Sequence, residues 1–406
     1  MCNRLLKIIL LVLITSCGTA SDPQAQDFEI LVEAGDIDRN HTIVTFTLPQ
    51  AAVQADYALT DEQGVKVSLT IDPDNVAWFV LDQLEAGASK RYTLSLEETL
   101  PFNTENGVYT ERDGNQIHIL NGRGKVASYY SGFNTPPEEL EGIYRRGGYL
   151  HPIYTPDGTA VTNHLNVGMH PHHSGIWSAW TRTRYGNHSP DFWNVHQGTG
   201  RVDIESGSAS VFPGNAVGGF QSVHNFIQLD EDGTQEIVLR ERWLFQAYPG
   251  TEAYHVFDLS VLQMMAGNRS LILPEYHYGG VGFRGHKQWD NPENVVIITS
   301  GGEGRAENQA RVNWVYIGGE IDGKMAGVQI MSDPENYGHP QPVRIHPEEP
   351  FINFAPQQLG EMRIDPKTPY IARYRFITTD GEPDREIMEQ LWRDFAHPVS
   401  VIVTNK

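Results

Sequence analysis

Cysteine is almost absent from this chain: Cys2 and Cys17 are the only two in 406 residues, and both lie at the extreme N-terminus. Cys2 falls within an export leader, so the mature chain has no partner for Cys17. An intrachain disulfide and a cysteine-ligated metal are both excluded. Beyond the leader no apolar run reaches the 18 residues a membrane-spanning helix needs. Positive charge is scarce as well. Thirty Lys and Arg stand against 51 Asp and Glu, a formal net charge of −21. That balance argues against nucleic acid and against an anionic membrane surface as partners. It leaves room for an anionic substrate held in a local basic pocket. Four nucleotide-binding and hydrolase motifs are also missing: G-x-G-x-x-G after a strand, a P-loop, G-x-S-x-G and H-E-x-x-H.

The leader reads Met-Cys-Asn-Arg-Leu-Leu-Lys and then an apolar run over 8–14, too short to span a bilayer. Ile14-Thr15-Ser16-Cys17 resembles a bacterial lipobox. The expectation is a lipoprotein signal peptide over 1–16, a lipid on Cys17 as membrane anchor, and a polar tether over 17–27. The protein would then sit in the cell envelope.

From 28 to 100 the pattern alternates apolar and polar residues, with turn signals such as Asp61-Glu62-Gln63-Gly64 between the runs. Short strands at this spacing predict a small immunoglobulin-like β-sandwich. A second domain is expected over 107–406. Its many alternating, β-branched segments predict a large antiparallel β-supersandwich of the galactose-mutarotase-like kind. One helix stands out near the end, 384–396, with Asp384 at its start and Ile387, Leu391 and Phe395 on one face. The fold class is therefore all-β with one C-terminal helix.

Chemistry concentrates in 144–196, which holds seven of the sixteen histidines together with Arg145, Arg146, Arg182 and Arg184. A packed core has little use for so many polar rings; a pocket handling protons, anions or a metal does. Its sharpest motif is His170-Pro171-His172-His173-Ser174-Gly175. Pro171 forbids a regular helix, so the segment is extended or a turn. If extended, His170 and His172 share one face and His173 takes the other. These imidazoles suit general acid–base work, and equally Zn or Cu binding.

A second constellation is Tyr276-His277-Tyr278-Gly279-Gly280, followed by Arg284, whose guanidinium suits a carboxylate. Strand alternation would put Tyr276 and Tyr278 on one face and His277 on the other. A third is the proline-marked loop 331–340 with His339, leading to Arg344. Trp177, Trp180 and Trp193 are candidate sugar-stacking platforms and Arg145 and Arg146 candidate rim contacts, with Arg182, Tyr278 and Arg344 as further substrate-binding residues.

These segments also carry a resemblance. Tyr149-x-x-Pro152-x-Tyr154-x-Pro156-Asp157-Gly158, His170-Pro171-x-His173-x-Gly175-x-Trp177, Asp191-Phe192-Trp193, Gly200-Arg201, Pro334-x-Asn336 and His339-Pro340 together resemble the PmoA-like family. The likeness covers about 110–400. Its methane-oxygenase name is a poor guide, since this chain has no membrane-spanning run. Members resemble exported proteins of polysaccharide-degrading bacteria, some of them dehydratases of glucuronate-ended oligosaccharides from ulvan. The resemblance therefore implies a hydro-lyase acting on an anionic oligosaccharide, with no cofactor.

Elimination of water across C4–C5 of a uronate needs three parts. Arg284 or Arg344 would neutralise the carboxylate. His170, His173 or His277 would take the C5 proton, with His172 and His339 as further catalytic candidates. Tyr276, Tyr278 or a second histidine would protonate the departing hydroxyl. Other classes stay open. A glycan-binding lipoprotein needs no catalysis. An inverting glycosidase needs two carboxylates, with Asp191, Glu275 and Asp290 available. A metal-dependent oxygenase or hydrolase would use the histidines as ligands.

Overall fold

The computed structural model describes residues 26–49, 56–97 and 100–406. The expected leader and the lipidation candidate Cys17 lie outside these residues. Among the described residues no helix is long and apolar enough to cross a membrane.

The chain is all-β. The first unit is a sandwich of a five-stranded and a three-stranded sheet. Alternation drives it: in Phe28–Glu33 the buried positions are Phe28, Ile30 and Val32. They meet Val44, Phe46, Phe79 and Leu81 from the facing sheet. One edge is supplied from the far end of the chain, where Ser400–Asn405 pairs antiparallel with Phe28–Glu33. The sequence reading left these last residues with the large domain. They instead cover an edge strand of the small one, with Val401 and Val403 packed on its core.

The second unit faces two nine-stranded antiparallel sheets against each other. One sheet contains the long strands Gly218–Leu229, Gln235–Ala247, Tyr254–Met265 and Tyr370–Asp380. A ladder of stacked rings runs through the core from Tyr129 to Phe220, Phe245, Phe257 and Phe376. A fully buried polar chain joins the two sheets. Trp180 Nε1 donates to Gln263 Oε1, Gln263 Nε2 to Glu241 Oε1, and Glu241 pairs with His224 Nδ1 at 2.9 Å. Burying these groups is tolerable because each has a partner.

The helix spans Arg385–Ala396, and Asp384 caps it by accepting from the amides of Glu386 and Ile387. Its packed stripe is Met388, Leu391, Trp392 and Phe395. Ile387, expected on that face, is 54% exposed. Helical spacing alone allowed either stripe. Asp394 settles the orientation by accepting Arg39 Nη1 at 2.7 Å, which ties the helix to the small sandwich.

Candidate functional site

The site is built on the other nine-stranded sheet, on the face turned away from its partner. Val343, Ile345, Ile352 and Phe283 point into the core between the sheets. Alternation turns their neighbours outward. Antiparallel pairing then lines these up in two rows. Trp177 lies opposite Gly282, Gly282 opposite Asn353, and Asn353 opposite Arg344. In the next row Arg284 lies opposite Phe351. The amide of His346 donates to Phe351 O, extending the ladder by one residue. A Cβ on Gly282 would stand 2.9 Å from Trp193 and 3.1 Å from Trp177, so glycine there makes room for both indoles.

The His170-Pro171-His172-His173 segment is a turn: the amide of His173 donates to His170 O. Pro171 at its second position suits that geometry. The rings of His170 and His173 therefore stack at 5.0 Å, which an extended segment would have prevented. His170 holds φ at +39°, the left-handed region that costs a side-chain-bearing residue energy. His173 is buried between Trp177 and Phe351.

A charged chain runs beneath this turn. His170 Nδ1 lies 2.6 Å from Glu349 Oε1. Arg284 Nη1 lies 2.5 Å from Glu349 Oε2, and Arg284 Nη2 2.5 Å from Asp290 Oδ1. Asp290 Oδ2 also accepts Asn166 Nδ2. His173 Nδ1 stands 3.6 Å from Glu349 Oε2, too long for a hydrogen bond, and has no other partner. Burial opposes ionisation of Glu349, but His170, His173 and Arg284 outweigh it and hold the carboxyl well below its usual range. An ionised carboxylate only accepts, so His170 donates to it through Nδ1, and in the neutral ring Nε2 carries the lone pair. The His170 side chain is 47% exposed, so that lone pair is reachable.

His172 is buried against His173, His170 and His196. Burial, with the neighbouring histidines and Arg146, pushes its pKa down to about 2. His346 is half-buried, its ring 5.6 Å from that of His170. Its Nδ1 accepts the amides of Glu348 and Glu349. Arg305 holds the same loop through the carbonyls of His346, Glu348 and Glu349.

Beside this cluster lies a cleft of about 770 Å³ lined by Arg182, Asp191, Asn194, Gln197, Tyr276 and Tyr278, among others. Trp193 links the two, its ring packing against His173 and against Tyr278. Tyr276, His277 and Tyr278 lie off any strand, so alternation does not apply, and their three rings pack on one another. Arg182 sits over Tyr276. Burial lowers the pKa of His277, with Arg344 and Arg182 adding to the effect. Burial raises Tyr278 to about 12, against the hydrogen bond from Asn194, so its hydroxyl stays protonated.

His170, His346 and Glu349 bring ligand atoms within 4.8 Å of one another, the spacing of a metal site. Their hydrogen bonds do not fit one. His170 Nδ1 carries the proton shared with Glu349, and His346 Nδ1 is taken by backbone amides. As bonded, the two rings offer a single lone pair, where a metal would need one from each.

Residues 116–393 match the family model of DUF6807, described as a family of unknown function. The chain belongs to DUF6807. No curated protein matches it. Among solved structures it is similar to a glycosyl hydrolase family 38 protein from Enterococcus faecalis, with 10% identity and a TM-score of 0.42, over 93% of this chain and 47% of that one. It is also similar to an alpha-mannosidase from Enterococcus faecalis V583, with 10% identity and a TM-score of 0.38, over 93% and 46%. This DUF6807 chain thus spans about half the length of those proteins.

Several sequence expectations need correction. Arg284 is 1% exposed and spent on two carboxylates, so it holds the site together and is not free for a substrate. His339 stacks on Trp392 of the C-terminal helix, outside the histidine cluster. Trp177, Trp180 and Trp193 are buried, so none is a stacking platform. Arg146 has Nε and Nη2 buried without partners, so it is not a simple rim contact, whereas Arg145 is exposed over Phe133. Asp191 is buried and spent on Thr181, Trp193 and Asn194. Sequence reasoning missed His346 and Glu349. The available signal was His346-Pro347-Glu348-Glu349, beginning two residues after Arg344.

Proposed function

We propose that this DUF6807 protein is a carbohydrate-active lyase, a dehydratase that eliminates water across C4–C5 of a glucuronate at the end of an oligosaccharide. The observation that carries the reading is the 2.6 Å bond from His170 Nδ1 to buried Glu349, which points a lone pair of His170 at the site. A carboxylate that fixes the tautomer of a histidine is the arrangement of a general base.

In this reading Arg344 neutralises the substrate carboxylate, making the C5 proton acidic. Arg344 is half-buried, its Nε has no partner, and it neighbours Tyr276 and Tyr278. His170 Nε2 takes the C5 proton. The freed electron pair forms the C4–C5 double bond as the C4–O bond breaks. Tyr278 gives its proton to the departing hydroxyl, which leaves as water. The His170 proton then returns to Tyr278 through solvent, and the atoms balance. The cleft with Arg182, Asn194 and Gln197 takes the rest of an anionic oligosaccharide. The lipobox-like leader supports export and anchoring at Cys17.

The test incubates purified protein with uronate-ended oligosaccharides, ulvan fragments included. It follows the ultraviolet absorbance of the unsaturated product and the mass of each product. Absorbance rising with loss of one water supports the dehydratase. Rising absorbance with chain cleavage makes it a polysaccharide lyase instead. No change on any uronate sinks the elimination reading and leaves glycan binding without turnover.

A further inference from the structure

The neighbouring imidazoles of His170 and His346, edge to face at 5.6 Å, are held in opposite tautomers, and one residue contributes to both. The side chain of Glu349 accepts from His170 Nδ1. The backbone amide of the same Glu349 donates to His346 Nδ1 at 2.9 Å, and the amide of Glu348 does so at 3.2 Å. A backbone N–H is always a donor, so His346 Nδ1 must accept. The neutral ring then carries its proton on Nε2. His170 presents an acceptor, and His346 presents a donor.

We propose that His346 is a fixed neutral hydrogen-bond donor which, with Arg344, forms the receptor for the substrate carboxylate beside the His170 base. This rests on the elimination reading above. Arg344 and His346 are two residues apart on one extended segment and so share a face. Val343 and Ile345 between and beside them are buried on the other face. When the C5 proton leaves, negative charge builds on the carboxylate oxygens. A donor already in place and a fixed cation lower that barrier without reorganising. Neutrality has independent support. Burial brings the His346 pKa down to about 4, with Arg344, His170 and Arg284 adding to the effect and Glu349 opposing it. Arg305 fixes the loop that supplies the two amides, so the ring has a rigid seat.

The experiment has two parts, both on the full chain. Nitrogen-15 histidine NMR at neutral pH reads the tautomers, with His346→Asn and His170→Asn used to assign the lines. His346 should show its proton on Nε2 and His170 on Nδ1. Kinetics of His346→Asn then isolate the donor. The asparagine oxygen can still accept the two amides and keep the loop, but nothing reaches the substrate. We expect kcat to fall about 10²–10³-fold, the loss seen on removing one oxyanion-hole donor, with KM changed little. A proton on His346 Nδ1, a doubly protonated ring, or an unchanged kcat would each overturn the proposal. If the wild-type chain turns over no uronate, free glucuronate becomes the probe. A shift of the His346 Nε2 line on adding it keeps the donor while the lyase reading fails. No shift removes the donor as well.

Discussion

Arg284 and Glu349 form a buried ion pair, 2.5 Å between Nη1 and Oε2, with side chains 1% and 3% exposed. Desolvating two charges is repaid only when geometry is good and the remaining atoms are bonded. Here Asp290 takes the second guanidinium nitrogen and His170 the second carboxylate oxygen, and Arg284 Nε alone is left buried without a partner. The pair is thus the foundation on which the base is oriented. Glu349→Gln should lower kcat by about 10³–10⁴-fold, because an amide no longer dictates the His170 tautomer. Arg284→Met should cost about 3–5 kcal/mol of stability by leaving Glu349 buried without its arginine partner. Urea denaturation and steady-state kinetics on both variants check this. An Arg284→Met variant of native stability would contradict the structural role given to Arg284.

Arg344 should behave in the opposite way. Among the described residues its one side-chain hydrogen bond is a long one, 3.3 Å from Nη1 to Asn308 Oδ1. Removing it strands no buried charge. Arg344→Met is expected to keep the denaturation midpoint near wild type and to lose about 10²-fold in kcat/KM, with KM raised. The contrast between the two arginines separates holding the site from holding the substrate. If Arg344→Met leaves kcat/KM intact, the carboxylate receptor lies elsewhere.

The strands were legible because their signal is local. Phe28, Ile30 and Val32 alternate with polar residues, and any sheet burying one face would need that. The three clustered histidines were legible for the same reason. Glu349 was not, because 179 residues separate it from His170 and only antiparallel pairing across the sheet brings them together. The fate of Arg284 was hidden too. A guanidinium reads alike whether it meets a ligand or two buried carboxylates, and burial is not written in the string. His339 misled through its loop. Prolines and glycine mark exposed, functional loops, yet this one packs its imidazole on the helix. The last strand was missed because a short edge strand carries half a pattern, with Ser400, Ile402, Thr404 and Asn405 left exposed.

Stability should fall as acid is added, beginning well above the carboxylate range. Burial brings His173 and His255 down to about 4. For His173, Arg284 and His170 add to burial while Glu349 opposes it; for His255, Arg123 adds to it. In the unfolded chain these rings titrate near 6.5. Between the two values the unfolded state binds protons that the folded state refuses. Their contribution is therefore complete above 6.5 and is lost as pH falls toward 4, at about 1.4 kcal/mol per pH unit for each ring. Asp258, held at about 2 by Arg375 and Arg373 against its burial, acts only below that window. Urea denaturation at several pH values should show this slope, and His255→Gln should flatten it by one ring's share. A stability constant from neutral pH to about 4 would contradict the assignment.

On the proposed elimination reading, chelation should leave turnover unchanged. The spacing of His170, His346 and Glu349 invites a metal, but spacing is only half of coordination. A ligating imidazole must turn a lone pair toward the ion, and its other nitrogen must donate. His346 does the reverse, accepting two amides on Nδ1 and directing a proton inward. To bind a metal, that ring would have to give up both amides. His170 would have to release the proton it shares with Glu349 or bind through Nε2, facing away from that carboxylate. We therefore expect unchanged turnover after dialysis against a strong chelator and no stoichiometric metal in the purified protein. Loss of activity on chelation, restored by one added divalent ion, would reverse the His346 tautomer and favour the metal-dependent class over the lyase.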